Sequence, residues 1–251
     1  MKRTYGWKPD VPDHRDHEFV LPRAVHLPSY VDRIGLGNPI EDQGALGSCT
    51  GNATTSAMEI VTSVSARSRL MAYYNGRALE GTTRQDAGCM IRDVVKGVRR
   101  WGVGAEALWP YNIARFRLRP PAKAYIDGDA TRTLLGGYQR VTGLDGLRTA
   151  LAQGLPVIFG FSVPDFFESN EVARTGWVRL PKDDDVMLGG HAVLAVGYDE
   201  RAETGATEPF VWVRNSWGSA WGKDGYFAMP YGWFTDRRRL VDDLWVLVPA
   251  A

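Results

Sequence analysis

The stretch Gln43-Gly44-Ala45-Leu46-Gly47-Ser48-Cys49 decides how the rest of this 251-residue chain is interpreted. It places one of only two cysteines where a glycine-rich turn ends and a predicted helix begins. A helix N-terminus presents unpaired backbone N–H groups and a partial positive charge, which favour a thiolate over a thiol. Gln43 has a side-chain N–H to offer to an oxyanion formed beside that sulfur. A buried cysteine that merely begins an ordinary helix is the alternative, and this stretch alone leaves it open.

Length and composition predict a globular protein with a large core, either as one domain or as two lobes that share a cleft. Hydrophobic residues make up 44% of the chain, charged residues 24%, and the formal net charge is +1. This balance gives no reason to expect nucleic acid or a membrane as a partner. No window approaches the roughly 18 apolar residues of a membrane span, and the basic N-terminus lacks the apolar region of a secretory signal. We therefore expect a cytoplasmic protein, with non-classical secretion as the alternative.

The few cysteines and histidines narrow the candidates for catalysis. With Cys49 and Cys89 alone, at most one disulfide can form, and we expect both thiols to be free. Three of the four histidines lie in residues 1–26, which leaves His191 as the only histidine of the body. A catalytic Cys49 with a base in the body would have to use His191. A lone histidine beside apolar strand residues is often structural, so this pairing needs further support.

Residues 1–26 are polar and rich in proline, and their alternating charges predict an extended arm that lies on the body. Its His14 and His17 have acidic neighbours, which raises the possibility of a metal site. The spacing lacks a helix or hairpin that would bring such ligands together, so a solvated charged arm is the preferred interpretation. We predict no metal site and no cofactor.

The apolar pattern predicts a helix-rich first half and a strand-rich second half. One helix is predicted from Thr50 to about Arg67, a second over Arg69–Leu79, and a third that ends at Gly102. Arg115–Ala130, with two prolines in its middle, is interpreted as a linking segment. The second half predicts a helix at 144–153 and apolar strands at 157–163, 192–198, 210–215, 226–229 and 245–248. Their short connections favour antiparallel pairing and an α+β fold.

Two further blocks carry a family resemblance. Gly189-Gly190-His191-Ala192-Val193 opens a buried strand, and Asn215-Ser216-Trp217-Gly218-Ser219-Ala220-Trp221-Gly222 follows another. Together with the turn before Cys49, they make the chain resemble the papain-like cysteine peptidases from Leu27 to Trp245. The resemblance implies a two-lobe α+β fold with the active-site cleft between the lobes. A helical lobe would span about 40–115 and an antiparallel, β-barrel-like lobe about 131–248, within a peptidase domain at 27–251.

The resemblance also implies a role for each residue of the site. Cys49 would be the nucleophile, held as a thiolate by the helix terminus and by the imidazolium of His191. His191 would protonate the leaving amine and later activate water. Asn215 would orient the imidazole, and Trp217 would shield that hydrogen bond from water. Gln43 and the backbone N–H of Cys49 would form the oxyanion hole.

Other positions are expected to contact the substrate. The resemblance places Trp221 on the leaving-group side of the cleft, and Gly189 and Gly190 at a pocket wall without side chains. The family's Gly-Gly pair after Cys89 is missing here, so we expect Gly88 to supply the backbone contact to the substrate instead. Leu46 replaces the family's cysteine that pairs near Cys89, so the usual disulfide is absent. These departures resemble prokaryotic or viral members of the family.

The function implied by the resemblance is hydrolysis of polypeptide substrates by a cysteine peptidase. Because no feature suggests a loop that closes one end of the cleft, we expect an endopeptidase. One alternative is an acyltransferase of the same fold, in which an amine captures the acyl-enzyme. Another is a catalytically silent peptide-binding module, which is disfavoured because all four catalytic residues are present. We expect residues 1–26 to pack on the body, to reach the cleft and to restrain activity.

Overall fold

The computed structural model describes residues 3–20, 26–201 and 208–250. The helices are α1 Cys49–Thr62, α2 Arg69–Leu79, α3 Ile91–Trp101, α4 Ala122–Arg132, α5 Gly143–Ala152, α6 Asn170–Thr175 and α7 Gly232–Thr235. The strands are β1 Tyr30–Val31, β2 Leu135–Val141, β3 Val157–Pro164, β4 Met187–Asp199, β5 Phe210–Arg214, β6 Tyr226–Pro230 and β7 Val241–Pro249. No helix in these ranges is both long enough and apolar enough to cross a membrane.

The three helices of the first half lie where the apolar spacing predicts them. Helix α1 is shorter than predicted, because Ser63 adopts a left-handed conformation with φ of 56° and ends the helix. The interpretation of Arg115–Ala130 as a linking segment was wrong, since helix α4 occupies most of it. The first residue of α4 follows Pro121. Proline suits the start of a helix, because the backbone N–H that it lacks would have no partner within the helix there.

The strands form one antiparallel sheet, with the order β2-β7-β3-β4-β5-β6 and with β1 paired to β4. The predicted antiparallel arrangement is therefore confirmed. The sheet stays open, with β2 and β6 at its two edges, and does not close into the barrel-like form that was expected. Strand β2 was missed because glycine and polar residues interrupt its apolar pattern.

Strand β4 runs through the middle of the sheet, and its side chains alternate between two apolar clusters. Ala192, Leu194 and Val196 join the cluster that contains Cys49 and the helices α1 to α3. Val193 and Ala195 belong to the cluster on the opposite face. Because the side chains of a strand alternate, His191 lies on the same face as Val193. Strand β4 packs against α1, and the N–H of Ala192, the neighbour of His191, hydrogen-bonds to the Cys49 sulfur.

The described part of the arm, residues 3–20, packs along the body. Its far end runs beside β2, where the N–H of Phe19 donates to the carbonyl oxygen of Arg140 at 2.8 Å and Arg140 donates back to His17 at 2.7 Å. Its near end contributes Trp7, whose side chain is only 9% exposed, to the main apolar cluster. Residues 1, 2 and 21–25 of the predicted arm lie outside the described residues.

Candidate active site

Cys49 is the first residue of α1 and is fully buried. The turn before it contains Gly44 with φ of 60°, a conformation that glycine adopts without strain. Backbone N–H groups of Ala192 and Gly6 hydrogen-bond to the sulfur, together with those of the helix start itself. The sulfur is therefore held between the start of α1, the first half of β4 and the arm. This arrangement confirms the predicted position of the cysteine at a helix N-terminus.

His191 and Asn215 form a buried hydrogen-bonded pair, with 2.9 Å between Nε2 and Oδ1. Asn215 Oδ1 also accepts from the backbone N–H of Ser216 at 2.8 Å, which fixes the amide oxygen toward the ring. The oxygen can only accept, so Nε2 carries the proton in the neutral imidazole. Nδ1 of His191 is then the basic nitrogen, and it is buried without a partner among the described residues. Nδ1 is thus the ring nitrogen that is free to accept a proton.

Aromatic rings surround the His191–Asn215 pair. The centroid of the Trp217 ring lies 5.1 Å from that of His191, and Phe161 approaches the imidazole from another side at 5.8 Å. Trp217 is itself buried, and its shielding of the His191–Asn215 hydrogen bond from water stays a prediction. Trp221 packs against Trp217 and Phe167 in the same aromatic cluster, and it has no ring contact or hydrogen bond with the described arm residues.

Gln43 is buried and rigidly held. Its backbone N–H donates to the carbonyl oxygen of Ser216 at 2.9 Å, and its Oε1 accepts from the Ser216 hydroxyl at 2.6 Å. These contacts orient the amide, so that Nε2 donates to Leu46 at 2.9 Å and lies 3.4 Å from the carbonyl oxygen of Thr4 in the arm. The predicted oxyanion donor therefore faces a carbonyl group of the chain itself.

The arm crosses directly over Cys49. A Cβ on Gly6 would lie 1.8 Å from the carbonyl oxygen of Gly47, so only a glycine fits at this point of the arm. The carbonyl oxygen of Gly6 accepts from the N–H of Cys89 at 2.8 Å, and the N–H of Lys8 donates to the Cys89 carbonyl at 3.3 Å. Gly88 packs against Gly6, since a Cβ there would lie 2.3 Å from the Gly6 carbonyl oxygen. Cys89, one residue beyond the predicted Gly88, supplies the backbone hydrogen bonds.

On either side of Gly6, arm side chains cover the rest of the site. Arg3 lies over the Trp217 ring, with its guanidinium carbon 4.8 Å from the centroid. The Tyr5 ring stands edge-on to His191 at 6.4 Å and packs against Gly189, where a Cβ would lie 2.9 Å from the Tyr5 Cβ. The backbone N–H of Trp7 donates to the carbonyl oxygen of Gly190 at 3.0 Å. Gly189 and Gly190 thus contact the arm at the wall where a substrate was expected.

Burial also shifts the ionisation of Cys49 and His191. Burial raises the pKa of the Cys49 thiol to about 11, although hydrogen bonds from Ala192 and Gly6 partly oppose that rise. Burial lowers the pKa of His191 to about 4, and its hydrogen bond to Asn215 opposes the fall. At neutral pH the covered pair is therefore a thiol and a neutral imidazole. The thiolate–imidazolium pair stays a prediction for the uncovered site, where water would return to both groups.

Known proteins share both the sequence and the fold. A family model described as papain family cysteine protease matches residues 27–235. The chain belongs to the papain family of cysteine proteases. An uncharacterised peptidase C1-like protein of Acanthamoeba polyphaga mimivirus is 37% identical, over 98% of this chain and 78% of that protein. The predicted resemblance to papain-like cysteine peptidases, and to viral members among them, is confirmed.

Solved structures of the family agree with this assignment. The crystal structure of xylellain, a cysteine protease from Xylella fastidiosa, has a TM-score of 0.87 and 35% identity over 98% of this chain and 96% of that one.

Cysteine proteinase 2 of Zea mays is 27% identical over 83% of this chain but only 57% of its own length. The chain thus spans little more than half of that plant relative. Both cysteines of this family member are free, which matches the missing disulfide.

A metal site finds no support in the described ranges, where no group of three histidine, cysteine or acidic side chains is placed to hold an ion. His14 and His17 lie on the arm, and the carbonyl of His17 pairs with β2. The arm contacts of Cys89 and of the β7 strand were not predicted. The contact between the arm and β7 had a signal in the sequence, because Asp242 and Asp243 are two adjacent acidic residues in an otherwise apolar strand.

Proposed function

We propose that this papain family member is a cysteine-type peptidase that hydrolyses peptide bonds through an acyl-enzyme on Cys49. The observation that supports this most strongly is the buried His191–Asn215 pair, whose neighbour Ala192 hydrogen-bonds to the Cys49 sulfur. In the proposed reaction, His191 Nδ1 takes the thiol proton as the thiolate attacks the substrate carbonyl. The imidazolium then gives that proton to the leaving amine, and the neutral ring later activates the water that releases the acid.

Gln43 is proposed as the side-chain donor of the oxyanion hole, together with the backbone N–H of Cys49. Its Nε2 already lies 3.4 Å from a carbonyl oxygen of the arm, and Ser216 fixes the amide in that orientation. Because the donor is held in place before the reaction, stabilising the developing negative charge needs no reorganisation. The four predicted catalytic residues, Cys49, His191, Asn215 and Gln43, thus have distinct proposed roles.

Residues 1–26 are proposed to restrain the peptidase domain at 27–251. Gly6 lies against the nucleophile, Thr4 faces the oxyanion donor and Tyr5 stands against His191. A substrate cannot reach the sulfur until these residues leave. Activity would then be proportional to the fraction of molecules in which the arm is undocked.

An endopeptidase is supported by the path of the arm. From Arg3 beside Trp217 to Lys8 beside Cys89, the arm passes over Cys49 and continues on both sides of it. A groove that accommodates a chain on both sides of the nucleophile suits cleavage within a polypeptide. Transfer of the acyl group to an amine and silent peptide binding are the alternatives that the experiment below distinguishes.

The test is digestion of a denatured protein by the full chain and by its Cys49→Ala variant, with the products identified by mass spectrometry. The proposal predicts internal cleavage that depends on Cys49. Products extended by an added amine would favour a transferase, and release of single terminal residues would contradict endopeptidase activity. If a variant with a loosened arm, Trp7→Ala, also fails to cleave while it is folded, the peptidase proposal is wrong.

A further inference from the structure

Arg69 is the first residue of α2, and its side chain, which is only 13% exposed, packs against the turn that leads to Cys49. Its guanidinium donates to Asn52 Oδ1 at 2.9 Å and to the carbonyl oxygen of Asp42 at 3.0 Å. Its Cζ lies 3.8 Å from the centroid of the Tyr111 ring. A positive charge is therefore held against both sides of the turn.

Asn52 connects this charge to the peptide group of Cys49. Because a guanidinium can only donate, the Asn52 oxygen faces Arg69 and the amide nitrogen faces the turn. That nitrogen donates to the carbonyl oxygen of Ser48 at 2.9 Å, and the backbone N–H of Asn52 donates to the same oxygen at 3.0 Å. The Ser48 carbonyl and the Cys49 N–H belong to one peptide group. Asn52 thus fixes the peptide whose N–H is proposed to donate to the oxyanion.

Tyr111 connects the same network to the other proposed oxyanion donor. Its hydroxyl donates to the carbonyl oxygen of Gln43 at 2.8 Å and lies 2.6 Å from the hydroxyl of Ser48. Since the single phenolic proton goes to Gln43, Ser48 is the donor in the second contact. Ser48 Oγ in turn accepts from Asn52 Nδ2 at 3.1 Å. The hydrogen bonds of this series therefore all run in one direction, from Arg69 to Gln43.

A series of this kind strengthens its last members, because each hydrogen bond polarises the group that makes the next one. Donors to the Ser48 carbonyl draw electron density from the shared peptide group, which makes the Cys49 N–H a stronger donor. Ser48 is fully buried and Asn52 is 1% exposed, so water screens these contacts little. Glu41 offsets part of the charge of Arg69, but its oxygen lies 3.6 Å away, beyond hydrogen-bond length.

We propose that Arg69 is a positioning residue for the oxyanion hole, which acts through Asn52 and Tyr111 on the two proposed donors. The inference rests on the proposed peptidase function and adds residues to the same step. Its effect belongs to the stage at which negative charge develops on the substrate oxygen. Arg69 therefore lowers the barrier of the reaction and leaves substrate binding unchanged.

The kinetic test is Arg69→Gln in the full chain with Trp7→Ala. Glutamine removes the charge and shortens the side chain. Arg67→Gln is the matched control, because the Arg67 side chain is 15% exposed, pairs with Asp127 at 2.7 Å and makes none of the hydrogen bonds above. We expect Arg69→Gln to lower kcat about 3- to 10-fold with KM unchanged, the scale of one hydrogen bond, and Arg67→Gln to leave both within about twofold.

NMR of the shared peptide group gives a second readout that does not depend on activity. The chain has only two cysteines, and only Cys49 follows a serine. Labelling the serine carbonyl with ¹³C and cysteine with ¹⁵N therefore gives one coupled signal, from Ser48 and Cys49. Loss of donors to a carbonyl moves its ¹³C signal upfield, so Asn52→Ala should shift it most and Arg69→Gln less. The ¹⁵N signal of Cys89 is the internal control and should stay in place.

A lower kcat with unchanged KM, together with the upfield Ser48 signal, would support the inference. Either result without the other, or a higher KM with normal kcat, would overturn it while the peptidase stands. If the Trp7→Ala chain cleaves no peptide, the proposed function fails separately, and an unmoved Ser48 signal would overturn the inference on its own. If Arg69→Gln does not fold, Asn52→Ala and Tyr111→Phe take its place in both measurements, with the same outcomes expected.

Discussion

His191 Nε2 and Asn215 Oδ1 are 2.9 Å apart in a pocket that neither side chain shares with solvent. The N–H of Ser216 holds the same Asn215 oxygen, so the amide cannot turn without losing two hydrogen bonds at once. This relationship fixes both the orientation of the imidazole and the nitrogen that carries its proton. Every step of the proposed reaction uses the other nitrogen, Nδ1.

Asn215→Ala should therefore lower kcat more than KM. Without the amide the imidazole is free to rotate, and its Nε2–H is left buried without an acceptor. The expected loss in kcat is about 10- to 100-fold, the scale of an unsatisfied buried hydrogen bond. Steady-state kinetics in the Trp7→Ala background measures it, and Asn170→Ala, a change at an exposed asparagine, is the control. An unchanged kcat would mean that Asn215 does not position the ring.

Gln43→Ala should lower kcat by about 10²- to 10³-fold, which is the usual effect of removing one oxyanion-hole donor. The substrate should still bind, because Gln43 acts on the charge that develops during the reaction. Single-turnover kinetics in the Trp7→Ala background separates the two effects. Gln153→Ala, at the exposed end of α5, is the control. A rise in KM with normal kcat would place Gln43 in substrate binding instead.

Much of this site could be predicted from the sequence, because the proposed catalytic residues are marked by local signals. A glycine-rich turn before a helical pattern placed Cys49 at a helix N-terminus, and a single body histidine left only His191 as its base. The strand that carries His191 and the strand that ends just before Asn215 both have clear apolar patterns. These features depend on neighbours in the chain, which is why they can be recognised without a structure.

The remaining features depend on contacts between distant segments. The arm was expected at the cleft, but nothing in Tyr5-Gly6-Trp7 shows that Trp7 would meet Asp243, since that contact joins the two ends of the chain. Helix α4 was hidden by Pro120-Pro121, which mark its start and not a linker. The open edges of the sheet likewise depend on the order in which the strands pair, which the apolar pattern within each strand does not show.

Trp7→Ala should activate the full chain. The arm loses its largest buried side chain and the hydrogen bond to Asp243, so the docked state is destabilised. Removing a buried tryptophan from a core costs about 3–5 kcal/mol, enough to raise the open fraction at least about 100-fold if the arm is mostly docked. Initial rates of peptide hydrolysis measure it. Val11→Ala, on the same arm but 64% exposed, should have no effect. Equal rates for both variants would dismiss the inhibitory role of Trp7.

Gly160→Ala should release the arm through a change in the body, on the β3 side of the contact with Trp7. A Cβ there would lie 2.0 Å from the Trp7 ring, so the indole cannot stay in its pocket. We expect faster cleavage of peptides with small residues at the pocket and slower cleavage of those with large ones. Gly137→Ala is the matched control, because a Cβ there meets nothing within 4 Å. If Gly160→Ala leaves the arm docked, Trp7 does not occupy the position described.

Docking of the arm should weaken as the pH rises toward 7. Burial beside Asp243 raises the pKa of Asp10 to about 7, although Trp245 and Arg92 donate to it and oppose the rise. Arg140 also faces the pair. An undocked Asp10 has an ordinary pKa of about 3.9. Between about pH 4 and 7, Asp10 is therefore protonated when the arm is docked and ionised when it is undocked, so docking takes up a proton. Docking is therefore strongest at acid pH, weakens by no more than about tenfold per pH unit, and levels off above 7.

Fluorine NMR of 5-fluorotryptophan-labelled protein measures this pH dependence, because the Trp7 signal reports docking without reference to activity. The signal is assigned by its loss in Trp7→Phe. Asp10→Asn should remove the pH dependence, and Glu18→Gln, at an exposed acid of the same arm, should preserve it. A docked fraction that increases with pH would show that docking does not raise the pKa of Asp10.

The most direct test of the account is the rate at which an epoxide inhibitor of cysteine peptidases labels Cys49, followed by mass spectrometry of the intact protein and its peptides. We expect slow labelling of the full chain, much faster labelling of Trp7→Ala, and loss of labelling when His191→Ala is added to that variant. Cys89, which is buried and outside the reaction, should stay unmodified in all three. Labelling of Trp7→Ala that does not depend on His191, or no labelling of any folded variant, would contradict an activated cysteine covered by its own arm.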